Sequence, residues 1–404
     1  MSPDRGVSRR HLLGGVPPAG IGAGAIGFGL GSAAVPAAVN PPGSAAPPTI
    51  GAATVAFFGR RQAGIEVPAQ AHISYLAFDL ADHVDQLALR RLMVLLTDDA
   101  ARLARGEPAL ADTEPELAVT PARLTVTFGF GAGLVARTSA PPPGWLRPLP
   151  AFGVDRLDPA YCDGDLLLAI ASDDPVTVSH CARMLLKDAR AFATPRWVQS
   201  GFHRAAGSEA TGTTMRNLFG QVDGSANPRP GSADLEEVLW RHGDNPSWLR
   251  NGTGLVLRRI EMDLDKWDAL DRSSRESAIG RTLSNGAPLT GSDEMDDPDF
   301  SARNAIGLPV IPEVSHLRRA RMDDPRQRIF RRGYNFEEPT GSGGTHAGLL
   351  FGSYQADVDA QFVPIQRRLD ALDLLNQWTT PVGSAVFAIP PGCEEGSYVG
   401  HSLF

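Results

Sequence analysis

The chain has 404 residues, 42% hydrophobic and 21% charged, which is enough apolar material for packed cores and a length that allows two or three ordinary domains. A formal charge of −8 argues against a nucleic-acid partner and against an anionic membrane surface. Three cysteines, Cys162, Cys181 and Cys393, cannot all pair and form no C-x-x-C motif, so neither a disulfide framework nor a structural zinc site is expected.

Residues 1–38 read as a targeting segment. Ser8-Arg9-Arg10-His11-Leu12-Leu13 is similar to the twin-arginine export motif, and Ala33-Ala34-Val35-Pro36-Ala37-Ala38 offers the small residues that a signal peptidase needs. The weakly apolar run between them is broken too often by Gly and Pro to span a membrane, so no membrane insertion is expected and the location is periplasmic or extracellular. Gly22-Ala23-Gly24-Ala25-Ile26-Gly27 matches a dinucleotide fingerprint, but no strand precedes it and it falls inside the export segment, so it carries nothing. Residues 39–51 form a Pro/Ala/Gly linker.

Regular patterning starts at Ala52. Ile73–Leu80 reads as a strand, Val84–Leu103 has helical spacing, and Leu124–Phe130 alternates with period two. Asp165–Ile170 is a strand of the fully buried type, and Asp174-Pro175 opens a helix through Lys187. Strand, helix, strand, strand, helix is the rhythm of a ferredoxin-like α+β half, assigned to 52–215. A second half over 216–404 repeats it. Its elements are a strand at Ile260–Leu264, a short helix capped by Ser273 with Glu276, a strand at Leu349–Tyr354, a helix over Val358–Leu372 and a strand at Ala385–Ile389. The stretches 201–251 and 288–312 are long and polar, so they must cover or line something.

Two segments carry candidate chemistry. One runs from His316 to Phe336 and brings an imidazole near several guanidiniums, among them Arg321, Arg331 and Arg332. The other is Gly220-Gln221-Val222-Asp223-Gly224, whose glycines permit a tight bend and a close backbone approach to a flat ligand, although an Asp-Gly turn alone would also explain them. Of the other histidines, His72 and His180 fall in strand or helix patterns as packing residues. His83, His203, His242 and His346 fall in loop-like surroundings where a solvated ring is the commoner outcome.

With these residues the sequence resembles the dye-decolorising peroxidase family, in the exported branch that includes the bacterial deferrochelatase/peroxidases. The likeness runs from about Val55 to Leu403. It includes Phe58–Ile65, Cys162–Leu168, the G-x-x-D-G signature at Gly220–Gly224, Leu257–Ile260, Gly280-Arg281, Gly286–Leu289, Arg331-Arg332-Gly333-Tyr334, Gly348–Phe351 and Gln361-Phe362. It departs from the family pattern at Arg61, where His is frequent, and in the shortened segment after His316.

The resemblance implies a dimeric-α+β-barrel-like fold of two ferredoxin-like halves holding haem b, iron protoporphyrin IX, mostly in the C-terminal half. By the same likeness His316 is the axial iron ligand, Asp223 the distal acid/base and Arg331 the distal arginine, with Arg332 as the alternative. Gly224, Ser225 and Ala226 pass close to the porphyrin, Arg321 contributes a contact to it, and Asp357 is the expected partner of the His316 ring.

The implied partners are hydrogen peroxide and small one-electron donors such as phenols or anthraquinone-like dyes; the resemblance leaves room for a homo-oligomer. A positioned carboxylate moves the proton that peroxide cleavage requires, with best turnover expected in mild acid, and a fixed positive charge stabilises the departing hydroxide. Electrons from donors too bulky to enter would pass through aromatics, for which Tyr334, Trp378 and Tyr398 are candidates that also read as core residues. Two further functions fit the same residues: removal of iron from haem in an iron-uptake system, and non-catalytic haem carriage.

Overall fold

A computed structural model describes residues 49–404 apart from 211, 322, 323, 325 and 342. The expected export motif, its small-residue run and the Gly22–Gly27 stretch lie outside the described residues. Among the described residues no helix is long and apolar enough to cross a membrane.

Eight strands form a closed antiparallel barrel: β1 (His72–Leu80), β2 (Thr125–Phe130), β3 (Leu166–Ser172), β4 (Ala193–Phe202), β5 (Thr253–Met262), β6 (Phe330–Pro339), β7 (Thr345–Gln355) and β8 (Thr379–Ile389). The barrel comes from two copies of one topology. The first sheet runs β4-β1-β3-β2 and the second β8-β5-β7-β6, so each half places its fourth, first, third and second strands side by side in the ferredoxin-like order. The helices sit where that order requires crossovers: α1 (Gln86–Ala104) and α2 (Pro175–Ala189) in the first half, then α3 (Arg272–Ile279), α4 (His316–Ala320) and α5 (Val363–Leu372) in the second. The sheets join at two narrow seams, Phe130 opposite Ala388 and Phe202 opposite Asn335. The fold class is thus the expected one, an α+β arrangement of two ferredoxin-like halves.

Strand alternation decides what each face buries. On β1, Leu76, Phe78 and Leu80 pack under α1 and α2, while Ile73, Tyr75 and Ala77 point into the space between the two sheets. β3 does the same with Leu166, Leu168 and Ile170 on one side and Leu167, Ala169 and Ala171 on the other. Its unbroken apolar run follows, because both faces are covered. A third cluster, Phe219, Met262, Trp267, Ala278, Ile279 and Leu349, ties the 216–224 segment and α3 to the second half.

Local signals hold in outline and shift in detail. β5 begins at Thr253, earlier than the alternating Ile260–Leu264 stretch, because residues 255–257 are buried on both faces and show no period. The cap of α3 is Asp271, whose carboxylate accepts the Ser274 N–H at 2.8 Å; Glu276 instead reaches the Leu283 N–H and Arg272. Val358–Phe362 is a wider π-type turn, and α5 starts after it with Pro364 in its first turn, where a missing N–H costs nothing.

One buried pair on the helix layer makes stability depend on pH. Asp99 of α1 accepts the Leu110 N–H through Oδ1, and among the described residues no nitrogen donor reaches the buried Oδ2 atoms of Asp99 and of Asp188 on α2. Burial, reinforced by the charge and hydrogen bond of Asp99 and opposed by Lys187, pushes the Asp188 carboxyl up to about 7. The folded chain therefore keeps a proton that an unfolded Asp releases near pH ~4, so this contribution is full below about pH 4 and is lost progressively as pH rises to about 7. Relative to the parent, Asp188→Asn should gain in melting temperature as pH rises from about 4 to about 7 and gain nothing further above that, as thermal unfolding across pH ~3–8 will show.

Candidate active site

The segment after β4 folds back as a short hairpin. Arg216 bridges Val222, the Asp223 N–H donates to the Met215 carbonyl at 2.8 Å, and Gly220 closes the turn at φ +78°, a value side-chain-bearing residues rarely adopt. The Asn217 carboxamide oxygen accepts the N–H groups of Phe219 and Gln221, while its nitrogen reaches Asp223 Oδ2 at 3.4 Å. Asp223 Oδ1 takes a hydrogen bond from Arg331 Nη1 at 3.1 Å, with the two side chains 19% and 23% exposed. The hairpin thus delivers a carboxylate to a guanidinium 108 residues away.

Strand alternation settles which of the two adjacent arginines can be there. Arg331 lies opposite Ser353 and Arg332 opposite Gly352, so the two side chains leave β6 on opposite faces. Arg332 enters the barrel with Tyr334 and Phe336. It donates to the carbonyls of Ile65 and Val67 and to Gln70 Oε1, tying the loop before β1 to the second half.

His316 is the first residue of α4. Its Nδ1 stands 2.6 Å from Oδ2 of Asp373, a buried carboxylate whose other oxygen accepts the Leu375 N–H. Asp357, the partner expected from sequence, instead caps the 358–362 turn by accepting the Ala360 N–H. The correction has a plain cause: Asp373 sits just beyond α5, and only the packing of α4 on α5 and the Leu374–Val314 backbone bond bring it to His316. Burial pulls the His316 ring down, but Asp373 outweighs it and Asp223 adds to the rise while Arg331 opposes, so the net shift is upward. The acid–arginine pair therefore lies within electrostatic reach of this imidazole.

Further positive charge gathers around the same space. Burial, then Arg331 and Arg321, hold Arg281 below its ordinary value, against the opposing pull of Glu294. Arg281 is anchored through the Gly286 and Glu294 carbonyls. Arg321 is exposed and pairs with Asp297 at 3.3 Å. Gly224 has φ +136°, Ser225 Oγ is buried without a partner, and Ala226 is exposed. An open cavity of about 870 Å³ adjoins Asp223, Gly224, Ser225, Asn227 and Arg331 and continues past His203.

His203 is not the solvated ring expected from sequence. It stacks 4.3 Å from Tyr334, its Nε2 donates to the Gly333 carbonyl, and burial holds its pKa down. Tyr334 is wholly buried, which removes it as a surface aromatic. Trp378 is half-buried and meets Trp267 edge-on, and Trp267 stacks on Phe219; Tyr398 packs against Phe404 and His401. From sequence, Asp373 and Asn217 carry no signal, Arg281 stands only within the Gly280-Arg281 motif, and Asn227-Pro228 marks a fixed loop without a role for Asn227.

Sequence models described as Dyp-type peroxidase, N-terminal, and Dyp-type peroxidase, C-terminal, match residues 62–203 and 214–394. The chain belongs to the Dyp-type peroxidase family. It is 35% identical to a dye-decolorizing peroxidase of Thermobifida fusca over 99% of this chain and 97% of that one. It is also 33% identical to a deferrochelatase of Shigella flexneri, covering 86% and 87% of the two chains. The crystal structure of a DyP-type peroxidase from Cellulomonas bogoriensis superposes with a TM-score of 0.85 at 51% identity, over 88% of this chain and 99% of that chain.

This Dyp-type enzyme is a haem peroxidase, an oxidoreductase acting on peroxide. The residues present suit haem. With Nδ1–H held by Asp373, the lone pair of His316 Nε2 is left for iron. The gathered guanidiniums of Arg281, Arg321 and Arg331 call for an anion such as a propionate, and Gly224 offers no Cβ to a flat ring. Because Arg332 serves the barrel and not this space, Arg332→Leu should leave the Asp223–Arg331 pair intact. The orphaned carbonyls and Gln70 should then cost about 3 kcal/mol of stability in denaturant unfolding.

Proposed function

We propose that this enzyme reduces hydrogen peroxide at a haem b held by His316, with Asp223 as the acid/base and Arg331 as the charge stabiliser facing the open side. The observation that carries this reading is the pairing of Asp223 with Arg331 within electrostatic reach of an imidazole whose Nδ1 is engaged by a carboxylate. When bound, haem supplies the iron at which peroxide is reduced and through which donors are oxidised one electron at a time.

The chain's own residues do the rest. Asp223 Oδ1 is committed to Arg331, whereas Oδ2 has only a long contact from Asn217. Oδ2 is therefore the oxygen that takes a proton from one peroxide oxygen and returns it to the other. Arg331 keeps its charge throughout and stabilises the negative charge that builds up on the peroxide oxygens until Asp223 returns the proton and the outer oxygen leaves as water. Asp373 orients the His316 ring and increases its electron donation to iron. Gly224, Ser225 and Ala226 would pass close to the porphyrin, and Arg281 with Arg321 would pair with its carboxylates. The cavity beside Asn227 and His203 gives peroxide and small donors such as phenols or anthraquinone-like dyes a path to Asp223.

In this reading residues 52–215 and 216–404 are the two halves, and the second carries the haem. Residues 1–38 direct twin-arginine export of the folded protein to a periplasmic or extracellular location. The likeness to a deferrochelatase supports a second reading, release of iron from haem, for which free porphyrin and not oxidised dye would be the product.

His316→Ala protein should purify folded but without a Soret absorption band. Arg331→Leu should retain that band and react with peroxide about a hundredfold or more slower, and Asp223→Asn should slow it by roughly 10²–10⁴. Stopped-flow absorbance after mixing with one equivalent of peroxide measures both, and a normal rate in either variant would remove that residue from its role.

A further inference from the structure

We infer that Asn227 is a positioning residue for the peroxide reaction: its side chain clasps the main chain of Arg331 and so holds the Asp223 loop and the distal guanidinium in fixed register. The inference rests on the roles given above to Asp223 and Arg331.

Arg331 is the second residue of β6. On one side β6 pairs with β7 along its length, but towards β4 it is paired only at Phe202 and Asn335, four residues further on. At Arg331 that edge would be an open ladder. Asn227 closes it. Its Nδ2 donates to the Arg331 carbonyl at 2.7 Å and its Oδ1 accepts the Arg331 N–H at 2.9 Å. One carboxamide thus takes the place of a neighbouring strand, making both bonds that a paired residue would make.

The path from this clasp to the acid is short and stiff. The Asn227 N–H donates to the Gly224 carbonyl, closing a turn in which Gly224 adopts φ +136°, and buried Pro228 fixes the exit. Asp223 precedes that turn and is bound to the Met215 carbonyl. Asp223 and Arg331 are therefore linked twice, once by their own 3.1 Å bond and once through backbone by way of Asn227. The direct bond joins two side chains that solvent reaches and that must exchange partners when a proton moves. The clasp involves neither charge, so it keeps the spacing while the ion pair is rearranged.

The experiment compares haem-loaded parent, Asn227→Ala, Arg331→Leu and the double variant. The readouts are the second-order rate of reaction with peroxide, the Kd for cyanide by absorbance, and the melting temperature. Cyanide binding involves no turnover, yet HCN must hand its proton to the same site. Asn227→Ala should lower the peroxide rate by about tenfold and weaken cyanide by a similar factor, as expected for a displaced catalytic group. In the Arg331→Leu background the same change should cost less than about twofold, since it acts through Arg331.

A parent-like Asn227→Ala, or an equal loss in both backgrounds, would overturn the inference while leaving a slow Arg331→Leu to support the underlying reading. An Arg331→Leu enzyme as fast as the parent would remove that reading, and the inference with it. If Asn227→Ala does not fold, Asn227→Asp replaces it under the same criteria, because it keeps the shape and the acceptor but cannot donate to the Arg331 carbonyl.

Discussion

Neighbouring residues on a β-strand point to opposite faces, and on β6 that rule separates two guanidiniums by the thickness of a sheet. Arg331 meets the acid of the 215–223 hairpin, whereas Arg332 is spent on the loop before β1. The rest of the site depends on this division. If β6 slipped by one residue, the stabilising charge would enter the barrel interior and Asp223 would lose its partner.

Both halves have the same strand order, yet Asp223, Arg331 and His316 all belong to the second. The difference lies in what is inserted between strands. In the first half the helices cover one sheet face with a continuous apolar layer. In the second half, long segments after β4 and between α3 and β6 carry Asp223 and His316, and α5 and the turn after it bring Asp373. The small cluster around Trp267 holds the hairpin and α3 together, so the loops have a rigid support of their own.

Electrostatics in the site are unbalanced in a way that suits an anionic cofactor. Arg281, Arg321 and Arg331 affect one another, and Asp223 is the acid bonded to Arg331. Under the proposed reading, the carboxylates of a haem would relieve that crowding. The buried Asp373 carboxylate engages His316 Nδ1 and is the main charge raising that ring, with Asp223 adding to it and Arg331 opposing.

The sequence by itself determined the fold class and which motifs matter. The alternation in β1, β2 and β3, the Pro-opened helix α2 and the G-x-x-D-G bend are local consequences of backbone geometry, and local geometry is written in residue spacing. It was weaker where tertiary burial overrides spacing. β4 carries Thr194, Pro195 and Arg196 in its exposed first half, and β6 has two arginines directly after Phe330, so neither shows an apolar period. Which aspartate holds His316, and how Asn227 meets Arg331 across 104 residues, were decided only when α5 packed on α4 and the hairpin docked against β6. Such contacts depend on the path of the whole chain, and no spacing along the sequence encodes a distance through space.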